Sequence, residues 1–413
     1  MAGRRLIETS VVDLISPLPV ELKHRILECL STRDATRTAL LSTHWNHVWL
    51  QHGRLAFDWD FSDSVQQGHD DEGKTLVHII NNILLSRAVP VKKFTLCIGN
   101  YYPELRQFDF DRWCVFLSTN GVEELNIHFV NCEEAEYKLP FCILSCRTIK
   151  QLRVGGTFII DLPVNSVGGI FSNVTSISLA GIEFRCTVSI SMPNIEQLAL
   201  QDCGGINKFE IISASKLERL SIYNCVHDVV ESRWLAPHLK AIKTLCLCGS
   251  SLLYMDASLF ATAINLQLLV LCNFSFGCGK QLTVAMQLFQ KCPNLCELEI
   301  LADEEVCKRD KEALSRLLED REGCFTVQDL KMLKTIKIES FSGSIVEMLF
   351  VRMLLSKSPA LERVVIIEYV GTDTSAIECQ RQLLRFPRAS PKAQICMELD
   401  DPICGLSDYI WFY

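Results

Sequence analysis

The sequence lacks the signatures of several functional classes. Its 20 cysteines include no C-x-x-C pair, its nine histidines include no H-x-x-x-H pair, and its 41 basic residues are outnumbered by 49 acidic ones. The missing cysteine and histidine patterns argue against a structural zinc site. The net charge of −8 leaves no positive excess for phosphates, so a dedicated nucleic-acid binder is not expected.

Long apolar segments are also missing. The first 16 residues lack the apolar core of a signal peptide, and the longest uncharged run, 257–279, is interrupted by Asn, Gln, Gly and Ser. We therefore expect a chain without a membrane span, located in the cytoplasm, the nucleus or both. In such a reducing compartment the cysteines are expected to be free, mostly buried thiols.

A short apolar pattern recurs along most of the chain. It has the form apolar-x-x-apolar-x-apolar, and its fourth residue recurs 21 to 38 residues apart. These marker residues are Phe94, Leu125, Leu152, Ile177, Leu198, Leu220, Leu245, Leu269, Leu298, Ile336 and Val364. Two units extend to L-x-x-L-x-L-x-x-C and end in Cys203 and Cys225, which is the pattern of a leucine-rich repeat.

This periodicity predicts the architecture of the array. Each unit supplies a short strand with alternate side chains inward, and stacked units bury a continuous core beneath a parallel sheet. Helical spacing over 111–118 and 284–291 indicates that some returning segments are helices. Cys203 and Cys225 are expected to be buried where the chain turns inward. The predicted fold class is an α/β solenoid, curved, with a strand-lined concave face.

The segment before the array has helical periodicity instead. Leu18, Leu22 and Ile26 form an apolar stripe at spacing four, which predicts an amphipathic helix entered at Pro17 and Pro19. Asp34 and Ser42 are candidate N-caps for a second helix, from 35 to about 41, and for a third. Trp45 and Trp49 of the third helix are expected in the core. So small a core needs support from the array or from a partner.

Three segments resemble one protein family along essentially the whole chain. The N-terminal segment LPVELKHRILECLSTRDATRTALLSTHW resembles an F-box, and FDRWCVFLSTNGVEELNI resembles the first repeat of plant F-box proteins with leucine-rich repeats. The segment KTIKIESFSGSIVEMLFVRMLLSKSPALERVVI resembles the FBD region found at the C-terminus of many of them. The resemblance implies an F-box module of three helices (10–55), a connector with the first array helix (56–90), leucine-rich repeats (91–332) and an FBD-like region capping them (333–413).

The resemblance also implies a role and a partner. Members of this family are substrate receptors of SCF-type cullin-RING ubiquitin ligases, which bind a Skp-type adaptor, and through it a cullin, by the F-box. The adaptor contacts carried over to this sequence are Leu18, Pro19, Leu22, Ile26, Leu27 and Leu30. Some of these side chains, Ile26 and Leu27 above all, are alternatively packed against the later helices of the module itself.

A protein target is expected on the concave face. Residues flanking the inward leucines face that surface, and from 244 to 272 they are apolar, as expected of a binding surface. The candidate target-binding residues are Arg219, Tyr223, Cys246, Cys248, Leu268, Val270, Glu297 and Glu299. The alternative is that the C-terminal region or the segment 302–330 folds over them.

One motif suggests catalysis. Residues 68–75, GHDDEGKT, match the phosphate-binding pattern G-x-x-x-x-G-K-[ST]. The preceding residues 62–67 are polar rather than a buried strand, and three acidic side chains inside the motif would repel phosphate. We therefore interpret it as a solvated loop, and expect no enzyme, metal or cofactor. The alternative to the ligase receptor is an interaction scaffold with a degenerate F-box; nucleotide hydrolysis is a weaker third hypothesis.

Overall fold

The computed structural model describes most of the chain, in two compact units. The described residues are 15–67, 76–99, 105–130, 136–161, 170–185, 188–205, 209–225, 237–253, 260, 263–303, 329–368 and 376–399. The first unit is Met1–Asn131 and the second is Cys132–Tyr413.

The first unit begins with helices and continues with a parallel sheet. Its helices are α1 (Val20–Glu28), α2 (Thr32–Thr38), α3 (Thr43–Leu50), α4 (Trp59–Gln67), α5 (Leu76–Leu85) and α6 (Gln107–Thr119). Its strands are β1 (Arg54–Phe57), β2 (Lys93–Ile98) and β3 (Glu124–Phe129). The three strands pair in parallel in chain order.

The second unit is a long parallel sheet with helices between some strands. The strands of this sheet are β4 (Tyr137–Lys138), β5 (Gln151–Ile160), β6 (Ser176–Phe184), β8 (Gln197–Gln201), β10 (Arg219–Tyr223), β11 (Thr244–Cys248), β12 (Leu268–Phe274), β13 (Glu297–Ala302), β14 (Thr335–Phe341), β15 (Arg363–Glu368) and β16 (Gln394–Leu399). From β5 onward each strand pairs with the next one named, and β4 pairs with β5. A separate pair joins β7 (Val188–Ser191) and β9 (Phe209–Ser213).

The helices of the second unit lie between the strands in sequence. They are α7 (Phe141–Leu144), α8 (Gly249–Leu252), α9 (Gly279–Lys291), α10 (Ile345–Lys357) and α11 (Ala376–Arg385). Helices α6 and α9 confirm the prediction that 111–118 and 284–291 are helical. Between β8 and β10, in contrast, the described residues form β9 and the turn 214–218 and no helix.

The marker residues of the repeat form one buried row within each unit. Phe94 is the register partner of Leu125 in the first unit, and in the second the row runs from Leu152 to Val364 with every neighbour in register. All eleven side chains are buried. A repeat that places one large aliphatic or aromatic side chain at the same sheet position can stack only as a solenoid. The predicted α/β solenoid with a parallel sheet is confirmed.

Several strands contain, or are directly followed by, a residue in the left-handed conformation. Asp202, Asn224 and Asn273 have φ near +47°, which Asn and Asp tolerate better than other non-glycine residues. Gly181 also has a left-handed backbone, with φ +68°. A Cβ at this position would lie 2.8 Å from the carbonyl oxygen of Gly156, so only glycine fits there. At Asp202 and Asn224 this conformation ends the strand and turns the chain toward the interior, where Cys203 and Cys225 are buried as predicted.

The caps of the N-terminal helices differ in part from the sequence prediction. Ser42 caps α3 as expected, its Oγ accepting the Trp45 N–H at 3.2 Å. Helix α2, however, is capped by Ser31, whose Oγ accepts the Asp34 N–H at 3.1 Å. The helix therefore begins three residues earlier than predicted and ends at Thr38, because Asp34 lies in the first turn rather than at the cap.

Candidate protein-binding surfaces

The N-terminal helical module has a small aromatic core. Its buried apolar side chains are Leu27, Ala35, Trp45, Val48 and Trp49. Both tryptophans lie on the inward side of α3, as predicted from the sequence. The sides of α1, α2 and α3 that do not face this core form the surface of the module.

Contacts with β1 and with the segment after α5 supply the support that so small a core needs. The Thr32 hydroxyl accepts the Ala56 N–H at 2.7 Å, and the Arg54 guanidinium donates to the Glu28 carbonyl. Arg87 lies 3.9 Å from the centre of the Trp49 ring and donates to the Trp49 carbonyl at 2.5 Å. Burial lowers the pKa of Arg87 to about 10, so it remains charged at neutral pH. The module is thereby attached to the rest of the first unit.

Helix α1 buries one charged side chain and leaves its apolar residues Leu22 and Ile26 exposed. Lys23 and Leu27, four residues apart, are both buried. The Lys23 ammonium donates to the Ser16 carbonyl at 2.6 Å and lies 5.6 Å from the centre of the Trp45 ring. These two partners compensate for burying the charge. Leu22 and Ile26, which precede Lys23 and Leu27 and so lie about 100° away around the helix, are 44% and 36% exposed.

The six predicted adaptor contacts differ in how exposed their side chains are. Pro19, Leu22 and Ile26 are exposed, whereas Leu18 and Leu30 are half-buried. Leu27 is only 1% exposed, so its side chain belongs to the module's own core, which is the alternative that the sequence left open for it. The physical reason is the helical period, which directs Leu27 toward α3 while Leu22 and Ile26 face away.

Sequence reasoning missed the most exposed apolar residues of the module. Leu40 and Leu41 are 86% and 68% exposed, and Ile15 and Val20 are also largely accessible. The predicted helix from 35 to 41 placed Leu40 and Leu41 on a packed helix, but α2 ends at Thr38 and they lie in the turn before α3. Several large exposed apolar side chains on one small module are the mark of a surface that binds another protein.

The second candidate surface is the outer face of the second unit's sheet, defined by the side chains that flank the buried row of marker residues. Of the predicted target-binding residues, Arg219 and Glu297 are exposed on this face, and Tyr223, Leu268 and Glu299 are half-buried. Cys246, Cys248 and Val270 are buried instead. The expected exposed apolar patch is therefore a covered one, since Tyr223 and Leu268 pack against Cys246, Val270 and Cys272.

The Cys272 thiol of this cluster is chemically quiet. Cys246 Sγ and Cys272 Sγ are 3.5 Å apart, and the hydrogen bond with Cys246 together with burial raises the pKa of Cys272. A protonated thiol is a poor nucleophile. Tyr223 is fixed beside the cluster, because the Asn273 side-chain amide donates a hydrogen bond to its Oη at 2.7 Å. Burial raises the pKa of the Tyr223 hydroxyl.

The described residues offer no arrangement suited to catalysis by a metal. Among them, no three His, Cys, Asp or Glu side chains meet in a group able to hold an ion. The phosphate-loop motif at 68–75 lies outside the described residues; the segment before it, 62–67, belongs to helix α4 and not to a strand. Within the described parts of the chain, no helix is both long and apolar enough to span a bilayer.

Comparison with known proteins identifies both surfaces as parts of known domains. The leucine-rich-repeat family described as "At1g61320/AtMIF1, LRR domain" matches residues 85–366, and the F-box domain matches residues 15–56. The F-box/FBD/LRR-repeat protein At1g13570 of Arabidopsis thaliana is 26% identical over 93% of this chain and 98% of its own length.

Other relatives align over shorter stretches. The putative F-box proteins At1g49610 and At3g58860, also of Arabidopsis thaliana, are each 28% identical. The alignments cover 56% and 52% of this chain, and 55% and 47% of the two relatives, about half of each.

Proposed function

The chain belongs to the family of plant F-box proteins with leucine-rich repeats, and from this premise we propose that it is the substrate-receptor subunit of an SCF-type cullin-RING ubiquitin ligase. In this proposal the helical module binds a Skp-type adaptor, and through it a cullin. The outer face of the repeat sheet binds the protein to be ubiquitinated. The receptor itself is non-catalytic, because ubiquitin transfer is performed by the other subunits.

The observation that carries the proposal is the outward-facing apolar surface of the helical module. Leu22, Ile26, Leu40 and Leu41 are exposed on a module whose own core is already filled. Burying a large aliphatic side chain stabilises a protein by roughly 1.5 kcal/mol or more, and these four side chains leave much of that free energy unused. A partner that covers them recovers this free energy, and a helical adaptor with an apolar surface is such a partner.

Each part of the chain has its own role in this proposal. We assign adaptor binding to residues 10–55, target binding to the repeats at 91–332, and capping of the repeats to the FBD-like region at 333–413, with 56–90 as the connector. Arg219, Tyr223, Leu268, Glu297 and Glu299 are the target contacts that we retain, and Cys246, Cys248 and Val270 form the surface beneath them. The free cysteines support a cytoplasmic or nuclear location, where thiols stay reduced.

The test of adaptor binding compares exposed and buried side chains of α1. The double variant Leu22→Ala/Ile26→Ala should retain its thermal stability, because both side chains are exposed, but weaken binding to a purified plant Skp-type adaptor about 10- to 100-fold. Leu27→Ala should instead lower stability by about 2–5 kcal/mol. Thermal melting and adaptor titration by calorimetry measure the two effects.

Ile345→Ala is the matched control, because it removes an exposed aliphatic side chain from α10 in the other unit. It should change neither adaptor binding nor stability appreciably. A folded wild-type chain that fails to bind the adaptor would refute the receptor proposal and leave the interaction scaffold with a degenerate F-box. Reconstitution with a cullin and a RING subunit then tests whether the bound complex directs ubiquitin transfer.

A further inference from the structure

The outer face of the second unit contains a groove that runs across its strands. In register along β6, β8, β10, β11 and β12, the central position of each strand is a small or medium side chain: Ser178, Ala199, Ser221, Cys246 and Val270. All five are buried. Longer and more accessible side chains flank this floor, including Gln197, Arg219 and Leu268 on one side and Gln201 and Tyr223 on the other. We call this feature the sheet groove.

One end of the sheet groove is basic. On β5, Arg153 is the register partner of Ser178, and its guanidinium is half-buried. Among the described residues, none forms an ion pair or hydrogen bond with that guanidinium. At this register position, β5, β6, β8 and β10 hold Arg153, Ser178, Ala199 and Ser221, so Arg153 supplies the charge there; Glu183, on the same face of β6, lies further along the strand. Asp202, in the turn after β8, already accepts hydrogen bonds from Asn224 and Gln201.

An unsatisfied hydroxyl lies beside Arg153. Ser178 is 2% exposed, and its Oγ has no hydrogen-bond partner among the described residues. Burying a hydroxyl without a partner costs stability, and buried polar groups of native proteins are mostly hydrogen-bonded. A guanidinium and a hydroxyl side by side both offer hydrogen-bond donors, so the group that complements them is an oxyanion.

The opposite end of the sheet groove is acidic. Glu299 on β13 is the register partner of Val270, and Glu297 lies beside it on the same strand. On β14, the next strand, Lys337 forms an ion pair with Glu339 at 2.5 Å. These four side chains together carry an excess of negative charge.

We propose that the sheet groove binds an extended segment of the target polypeptide with a carboxylate side chain at Arg153 and a basic side chain at Glu297 and Glu299. The proposal deepens the proposed receptor function, because it specifies the charge pattern of the target. Six strand spacings separate β5 from β13, which is about 29 Å at roughly 4.8 Å each. An extended chain spans that distance in about nine residues.

The geometry favours a carboxylate and recognition by side chains. A carboxylate pairs with one guanidinium through two parallel N–H donors, whereas phosphate sites usually add further cations or the N–H groups of a helix N-terminus. The backbone groups of the strands are already used in the parallel ladder. The bound segment therefore cannot join the sheet as an extra strand at this place, and its side chains must be read by the side chains of the groove.

A library of random peptides displayed on phage tests the charge pattern. The full chain, purified with its adaptor, should enrich peptides that carry Asp or Glu about nine residues away from Lys or Arg. The variant Arg153→Glu should lose the acidic preference while the basic preference remains. The variant Glu297→Lys/Glu299→Lys should show the opposite. Enrichment of peptides without an acidic residue by the wild type would overturn the proposal.

Affinities for the best selected peptide, measured by fluorescence polarisation, test the individual contacts. Arg153→Gln should raise Kd about 10- to 100-fold, and Ser178→Ala about 3- to 10-fold, because a charge-assisted hydrogen bond is stronger than a neutral one. The matched control is Arg363→Gln on β15, outside the groove, whose side chain pairs with Glu398 at 3.5 Å. An unchanged Kd in a folded Arg153→Gln protein would refute the contact.

A phosphoserine version of the same peptide separates the two oxyanions. Equal or weaker binding supports the carboxylate, and markedly tighter binding would replace it with a phosphorylated target. Adaptor binding is measured on the same preparations. A chain that selects the charged peptides but does not bind the adaptor keeps its sheet groove and loses only the ligase role.

Discussion

His52 is a buried titratable residue between the helical module and the first strand. Its ring stacks on His24 with centroids 6.0 Å apart, and it lies close to Trp49. Burial, followed by the positive charges of His24, Arg87 and Arg54, lowers the pKa of His52 to about 4. The folded protein therefore holds this imidazole neutral at any pH well above that value.

The lowered pKa of His52 predicts a loss of stability in acid. Because an unfolded histidine has a pKa of about 6.5, the unfolded state takes up the proton first as pH falls. The contribution is complete above about pH 6.5 and is lost between there and about pH 4, amounting to at most about 3 kcal/mol. The variant His52→Gln should flatten this dependence, which urea unfolding at neutral and at mildly acidic pH measures.

The exposed His44 supplies the control for that experiment. His44→Gln should leave the acid dependence as in the wild type. A His52→Gln protein that loses as much stability in acid as the wild type would show that other groups govern the acid dependence.

At the scale of elements, helix α10 has the most complete N-terminal cap of the described helices. The Ser344 Oγ accepts the Glu347 N–H at 3.4 Å, and the Glu347 carboxylate accepts the Ser344 N–H at 2.7 Å. The same carboxylate accepts the Ser342 hydroxyl at 2.6 Å. This capping box satisfies backbone N–H groups that the helix leaves free, and it fixes where α10 begins after the turn from β14.

The variant Ser344→Ala should therefore destabilise the protein by about 1 kcal/mol. Ser356→Ala, an exposed position near the other end of α10, should change stability by less than about 0.5 kcal/mol. Equilibrium unfolding in urea distinguishes the two. Equal effects would mean that the cap does not contribute to the stability of the folded state.

At the scale of the whole molecule, the row of buried side chains in the second unit determines how its repeats stabilise each other. Leu245 on β11 is completely buried, with Leu220 and Leu269 in register on either side. Ile395 on β16 is half-buried and has Val364 on one side. In a stacked array each repeat contacts its neighbours, so an interior position contributes to two interfaces.

Leu245→Ala should accordingly cost about 2–5 kcal/mol, and Ile395→Ala about 1–2 kcal/mol. Denaturant unfolding of the full chain measures both losses. Equal losses of stability would contradict this account, in which a residue inside the row packs against two neighbouring repeats and a residue at its end against one.

The outcome for the helical module shows what a hydrophobic pattern can and cannot predict. The sequence correctly indicated an amphipathic α1 with Leu22 and Ile26 on one side, whereas Leu18 lies before the helix begins. The side that packs in the core, however, is the one with Lys23 and Leu27. An apolar stripe has the same period whether it faces the protein's own core or a partner. Only the positions of Trp45 and the Ser16 carbonyl explain why a lysine is buried in place of that stripe.

The sequence by itself determined the solenoid, because a repeated spacing of strand-forming, inward-pointing residues leaves one way to bury them all. It also determined the inward turns at Cys203 and Cys225, and the resemblance to the F-box proteins with leucine-rich repeats. Tertiary structure alone decided that Cys246, Cys248 and Val270 are covered, that Leu40 and Leu41 are exposed, and that Arg153 lies beside Ser178. Burial and pairing depend on side chains brought together from distant repeats, and no local pattern contains that information.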